Sequence, residues 1–514
     1  MDLPVLGFSI LLGIIVMGWW FSWKWITNKK KNNLEMEKKD VGGSRVPKGS
    51  LGWPFIGETL DFIISGYSSR PVSFMEKRKS LYGKVFKSHL LGRPIIVSTD
   101  PYVNKVVLQN NGSTFVPYYP KSVSELMGKD SILKMSGSMH KRVHGLLGSF
   151  LKSPQFKSRI TRVIEKSVLL SMENWKDSND PIYIQEETKK ITFEVLVMVL
   201  MGIGPSEELE FLRREFREFI KGLICLPIKL PGTTFYKSLK AKDRMVKMVR
   251  RIVEEKKSNM GRTTRTTTTM SESERDDQRG RRPILDVVDM FLCEAVESNE
   301  MQQQQQQPVD VISERMIELM IPGEDSVPTL MTFAVKYLSD CPLALKQLTE
   351  ENMELKRQKD STGKEYDWTD YMSLPFTQDV INETLRMANI INAVWRKALK
   401  DVDINGYLIP RGWCVLASFT SIHFDDENYE NSCQFDPWRW QKKEGILSSS
   451  NFFTPFGGGQ RLCPGFEFSR LEVSIFLHHL VTRYRWVAEE DYSISFPTVK
   501  MKKKLPITVT PISS

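Results

Sequence analysis

Residues 456–465 read F-G-G-G-Q-R-L-C-P-G. Cys463 sits in this glycine-rich stretch, with Arg461 two residues before it and Phe456 seven before it. A thiolate is a soft, electron-rich metal ligand, and its pKa falls near cations and helix N-termini. Residues 468–480 contain no proline or glycine, and Phe468, Leu471, Ile475, Phe476 and Leu480 recur at helical steps. The pattern predicts a helix starting just beyond the cysteine, whose amino end would stabilise an anionic sulfur. Gly457, Gly458, Gly459 and Gly465 would let the backbone approach a flat cofactor and aim N–H groups at that sulfur. The competing explanation is a buried structural cysteine beside a glycine turn. Against it, F-x-x-G-x-R-x-C-x-G fixes five identities. Chance would produce that match in on the order of one in ten thousand chains of this length.

The 514 residues, 41% of them apolar, are ample for a large core. The formal charge is +10, part of it near the amino end at Lys24, Lys29, Lys30, Lys31, Lys38 and Lys39. Basic charge suits nucleic acid, an anionic membrane surface or an acidic partner. No nucleic-acid-binding signature occurs, which leaves the last two. The six cysteines form no close-spaced pairs, against a disulfide framework or zinc site and in favour of a reducing compartment.

Residues 3–21 are almost uninterrupted apolar, followed by Trp23, Lys24, Trp25 and the lysines at 29–31. Length, aromatic belt and basic flank predict an uncleaved membrane anchor over residues 1–27, with the rest of the chain on the cytosolic side. The rival is a cleaved signal peptide, but no basic residue precedes the run and no small-x-small site follows it. Residues 28–54 read as a charged tether ending in a stiff stretch, Pro47, Gly49, Gly52 and Pro54. A single domain is expected over 55–514.

Helical periodicity dominates that domain. Ser206 is placed to cap a helix carrying Leu209, Leu212, Phe216 and Phe219, and residues 343–359 form another. Strand-like stretches are short, at 85–91, 94–98 and 406–419. Residues 256–282, rich in Thr, Ser, Arg and Asp, and 297–308, with glutamines at 302–307, read as disordered loops.

The 456–465 loop resembles the haem-binding loop of the cytochromes P450, and the resemblance runs over about residues 47–510. It implies a mainly α fold with small β-sheets, preceded by a single transmembrane helix. It implies haem b, with Cys463 as the axial iron ligand and Phe456, Gly459, Arg461 and Gly465 in its cradle. The motif E-x-x-R at Glu383 and Arg386, followed by Arg439 in Phe435-Asp436-Pro437-Trp438-Arg439-Trp440, matches the family's structural Glu–Arg–Arg network. Residues 321–327, I-P-G-E-D-S-V, resemble the family's oxygen-activating helix kink. Asp325 and Ser326 take the places of its acid–alcohol pair, which relays protons. Pro322, Ser326 and Val327 depart from the usual residues there. The family's W-x-x-x-R is replaced by His140-Lys141-Arg142-Val143-His144. Propionate partners are therefore expected among Arg396 and Arg461, then Arg142, His140 and His144.

Within the family, residues 66–71, 115–117, 219–223, 320–323 and 395–398 resemble the plant enzymes of brassinosteroid biosynthesis, and among them the C-23 hydroxylases. That implies a sterol or brassinosteroid intermediate carrying a 22-hydroxyl as substrate, O2, NADPH–cytochrome P450 reductase as electron donor, and an endoplasmic reticulum membrane location. Residues 115–127, 219–230, 388–394 and 495–499 are apolar segments suited to a rigid hydrophobic ligand. Asn389, Asn392 and Ser326 are candidate partners of the hydroxyl. A sister enzyme acting at C-22 or C-6 is the main alternative, and an O2-independent haem-thiolate isomerase is the second.

Overall fold

The chain divides into two units, each assembled from two separate stretches of sequence. One holds the described residues up to Tyr118 together with Asn392–Asp425, the other Tyr119–Ile391 with Asp426–Ser514. The computed structural model describes residues 44–68, 70–109, 112–175, 180–268, 284–301, 309–441, 451–496 and 498–512. The expected membrane anchor and the tether up to residue 43 lie outside them. Among the described residues no helix is long and apolar enough to cross a membrane.

The first unit is built on a sheet of strands β1 (Val85–Leu90), β2 (Arg93–Ser98), β3 (Phe115–Pro117), β4 (Ala393–Ala398) and β5 (Cys414–Ser418), in the order β1-β2-β5-β4-β3. Only β2 and β5 run parallel. Leu91 and Gly92 make the β1–β2 turn with φ of 51° and 78°, as a tight two-residue hairpin requires. Both faces of the sheet are covered. Val85, Ile96, Val415 and Ala417 pack with Val103 and Val107, while Phe86, Ile95, Val97 and Leu416 pack with Phe74. The single strand expected over 406–419 is two, Tyr407–Ile409 and β5. Pro410 and Gly412, whose φ is 84°, turn the chain between them.

The second unit is mainly helical, with a small sheet of Ile182–Tyr183, Pro506–Pro511 and Tyr484–Ala488 and a two-stranded pair, Ser493–Ile494 with Lys500–Met501. Its principal helices are α1 (Gly137–Lys152), α2 (Pro154–Glu173), α3 (Ile184–Met201), α4 (Glu207–Ile220), α5 (Thr234–Thr268), α6 (Val287–Met301), α7 (Val309–Leu319), α8 (Ile321–Glu324), α9 (Ser326–Asp340), α10 (Pro342–Thr362), α11 (Pro375–Ala388) and α12 (Phe466–Arg483). One apolar core joins them, including Val195, Phe216, Met245, Leu330, Ile381 and Phe476. Ser206 caps α4, its side chain accepting from the Leu209 N–H at 3.3 Å.

Two expected loops are partly helix. Residues 256–268 continue α5, and 297–301 belong to α6. The buried row Met245, Val249 and Val253 carries α5 forward. Lys256 then anchors it by ion pairs to Asp286 and, at 3.2 Å, to Asp289. Tertiary contact here overrides the weak helix propensity of a Thr- and Ser-rich composition. The remainders, 269–282 and 302–308, lie outside the described residues.

Candidate functional site

Three features of the second unit hold the site residues expected from the sequence. The first is the cysteine loop. Gly457 and Gly459 adopt φ of 76° and 64°, a left-handed backbone open to glycine at little cost. The Cys463 N–H donates to the Phe456 carbonyl at 3.0 Å, and the Leu462 N–H to the Gly459 carbonyl at 3.2 Å. The loop thereby closes on itself and hands over to α12 at Gly465. Burial pushes the Cys463 thiol up, and the Gly465 N–H pulls the other way. Such a sulfur suits a ligand whose anionic form is stabilised by a bound metal rather than by water.

The Phe456 ring lies 6.1 Å from that of Phe466. The Arg461 guanidinium donates to the carbonyls of Leu133, at 3.4 Å, and Met135. One ring nitrogen of His144, at the middle of α1, donates to the Leu462 carbonyl at 2.6 Å. His140, one turn earlier and buried, lies ring against ring with it at 5.4 Å. Arg142 points elsewhere, into an ion pair with Glu294 of α6. Arg396 lies buried in β4 of the first unit and donates to the carbonyl of its neighbour Trp395 at 3.0 Å.

The second feature is the charged core under α11. Glu383 and Arg386 are fully buried. Their contact is bidentate, Arg386 Nε to Glu383 Oε2 at 3.0 Å and Nη2 to Oε1 at 2.8 Å. Arg439 Nε reaches Oε1 at 3.0 Å. Trp440 Nε1 donates to Oε2 at 3.0 Å, and the Asp436 N–H to Oε1 at 3.1 Å. The arginines satisfy the carbonyls of Ser432, at 2.7 Å, and Glu430, at 2.9 Å. The network fixes the 430–440 segment, and its donors saturate both carboxylate oxygens. Trp440 belongs to it as much as Arg439 does, a role the arginine pattern did not signal.

The third is the break between α7 and α9. The short turn α8 carries Pro322, and Asp325 separates it from α9. Helix α3 grips the break from the side. Thr192 Oγ1 donates to the Gly323 carbonyl at 2.6 Å, and Thr188 Oγ1 to the Pro328 carbonyl at 3.3 Å. Between them Lys189 Nζ stands 2.9 Å from Glu324 Oε1 and 3.6 Å from Asp325 Oδ1. Burial alone would lower Lys189, but the two carboxylates outweigh it and hold the ammonium raised. Burial also raises Glu324 against the opposing pull of Lys189. An ion pair should depress its acid, so the two directions conflict. The 2.9 Å contact favours the paired, charged form. Glu324 is buried and Asp325 is half-exposed. The sequence singled out Asp325 and Ser326; it gave no sign of Lys189, which lies 135 positions before Glu324.

Of the candidate hydroxyl partners, Asn389 ends α11 with φ 45°, its amide donating to the Arg386 carbonyl at 2.7 Å. The apolar 219–230 segment is split. Phe219 is buried, whereas Ile224, Leu226, Ile228 and Leu230 are exposed. A cleft of about 830 Å3 between α2, α3 and α4, lined by Ser167, Glu187, Glu194 and Arg213, contains none of the three features.

Residues 47–510 match the cytochrome P450 family model. The chain is 57% identical, over all of its length and 94% of the relative's, to the 3-epi-6-deoxocathasterone 23-monooxygenase CYP90C1 of Arabidopsis thaliana. It is 52% identical, over 94% of its length and 93% of the relative's, to the 3-epi-6-deoxocathasterone 23-monooxygenase CYP90D1 of the same plant. The retinoic acid-bound cyanobacterial CYP120A1 superposes with a TM-score of 0.76 at 22% identity, covering 91% of this chain and 100% of that one.

Proposed function

Since the chain belongs to the cytochrome P450 family, we propose that this haem-thiolate monooxygenase hydroxylates a 22-hydroxylated plant sterol at C-23 of its side chain in brassinosteroid biosynthesis. The observation that carries this reading is the full-length 57% identity to a 23-monooxygenase. The cysteine loop fits the family's haem: one free thiol, a closed glycine cradle and a helix N-terminus beyond it. Bound there through Cys463, haem supplies the one-electron and dioxygen chemistry that side chains lack.

The protein's own contribution is position and protons. Phe456, Gly459 and Gly465 shape the cradle, and Arg461, Arg396, His140 and His144 are proposed to face the propionates, directly or through the loop, while Arg142 is engaged by Glu294. Asp325 and Ser326 are proposed to hand protons from solvent to the reacting oxygen, the half-exposed carboxylate being the entry point. The sterol rings fill an apolar site, and position rather than intrinsic reactivity selects the C–H bond.

Electrons come from NADPH through a reductase docked on the basic surface, and residues 1–27 anchor the chain in the endoplasmic reticulum membrane with the catalytic part cytosolic. Exposed Ile224, Leu226, Ile228 and Leu230 support a membrane-facing side.

Incubation with reductase, NADPH and paired 22-hydroxy and 22-deoxy sterols tests the assignment. A C-23 alcohol, formed preferentially from the 22-hydroxy substrate, is the expected product. A new hydroxyl at C-22, or oxidation at C-6, would transfer the chain to a sister activity.

A further inference from the structure

Glu318 ends a chain of buried charge that the reaction does not use. It lies on the last turn of α7 and is 7% exposed. Its carboxylate is taken up by one short turn of backbone. Ser131 Oγ donates to Oε1 at 2.9 Å, the Leu133 N–H to Oε1 at 2.7 Å, and the Ile132 N–H to Oε2 at 3.0 Å. The turn is closed by the Lys134 and Met135 N–H groups on the Ser131 carbonyl, at 3.1 and 3.0 Å. With its N–H groups drawn inward to Glu318, the turn presents its other carbonyls outward. Those of Leu133 and Met135 are the acceptors of the Arg461 guanidinium. Beside Glu318, the buried Arg315 stands in the field of Glu294, Asp130 and Glu318, and Glu294 in turn pairs with Arg142.

We propose that Glu318 is a positioning residue for the thiolate loop: it shapes the 131–135 turn into a carbonyl clamp that holds Arg461, and through it fixes Cys463. A carboxylate is the group for this task because it accepts from several N–H and O–H donors at once, and such charge-assisted bonds are about twice as strong as neutral ones. His144 on the Leu462 carbonyl makes a second, independent strap. The inference rests on Cys463 being the iron ligand. A wild-type ferrous carbon monoxide complex without the thiolate-type band would refute that reading before it touched the clamp.

The test measures haem transfer from the holoprotein to excess apomyoglobin, together with the carbon monoxide band. Glu318→Ala is expected to speed haem release about tenfold, the scale of one lost hydrogen bond to a charged group. Arg461→Ala should release at least as fast. The double variant Glu318→Ala/Arg461→Ala should be no faster than Arg461→Ala alone, because both cut one strap. Phe216→Ala, a core deletion in α4, is the control: it should lower Tm without speeding release. If Glu318→Ala does not fold, Glu318→Gln and Ser131→Ala enter the same comparison, with smaller accelerations that also vanish in the Arg461→Ala background. Multiplicative rates in the double variant, an unchanged rate in Glu318→Ala, or equal acceleration by Phe216→Ala would each overturn the proposal.

Discussion

Glu383 of α11 and Glu324 in the helix break are both buried carboxylates that face a cation, yet they are held in opposite ways. Glu383 receives two arginines, an indole and a backbone N–H, all within 3.1 Å. Glu324 shares a single lysine with the more exposed Asp325, at 2.9 and 3.6 Å. A saturated charge has no alternative partner, so the first arrangement is a lock. In the second the lysine has two claimants and the outer one reaches solvent, so releasing Asp325 leaves Glu324 and Lys189 still paired. Rigidity around Glu383 and latitude around Lys189 follow from the number of donors per carboxylate.

Glu383→Ala should have the largest effect. It strands Arg386, which is fully buried, and removing one partner of a buried pair costs about 3–5 kcal/mol. Chemical denaturation should show that loss, and haem-loaded protein should fall to near zero. A stable, haem-loaded Glu383→Ala variant would erase the distinction drawn above.

At the break, Lys189→Met should cost less, about 1–3 kcal/mol for the one acceptor left wanting, and leave the carbon monoxide spectrum in place. Its signature should be kinetic, with fewer hydroxylated molecules per NADPH consumed and more peroxide. Asp325→Asn and Ser326→Ala should share that uncoupling. Fully coupled turnover in all three would show that protons enter by another route.

The effect that is smallest near neutral pH, and grows only on acidification, concerns an uncharged network, which sharpens the comparison by removing the ion pair. His478 of α12 shares a 3.0 Å hydrogen bond between Nδ1 and Asn352 Oδ1, and burial lowers its pKa to about 3. The folded state holds it neutral while the unfolded chain protonates it below about 6.5. Its stability is therefore complete above that value and is lost as pH falls from 6.5 toward 3, by up to ~1.4 kcal/mol per unit. Comparing the pH slopes of Tm for the wild type and His478→Phe checks this; equal slopes would mean that the histidine is already solvated.

How much of this was readable in one dimension depends on chain separation. The cysteine loop was legible because a metal cradle needs contiguous residues, and Glu383 with Arg386 because three-residue spacing puts both on one helical face. The helix break was visible in Pro322, Gly323 and Pro328. Lys189 and Glu318 were not, since their partners lie 135 and 185–187 residues away. No local pattern encodes a pairing made only by packing. The continuation of α5 through 268 was missed for the same reason, its support coming from a buried row and from Asp286 and Asp289 rather than from its own composition.

The two prolines at the break carry one more consequence. In an unbroken helix the N–H groups of residues 322 and 328 would serve the carbonyls of Glu318 and Glu324. Proline has none to give. Bent or straight, the carbonyls of Glu318 and Glu324 therefore have no backbone donor four residues on, so straightening the break would gain neither hydrogen bond. The two missing donors are therefore a property of the covalent chain, which no rearrangement of its surroundings can restore.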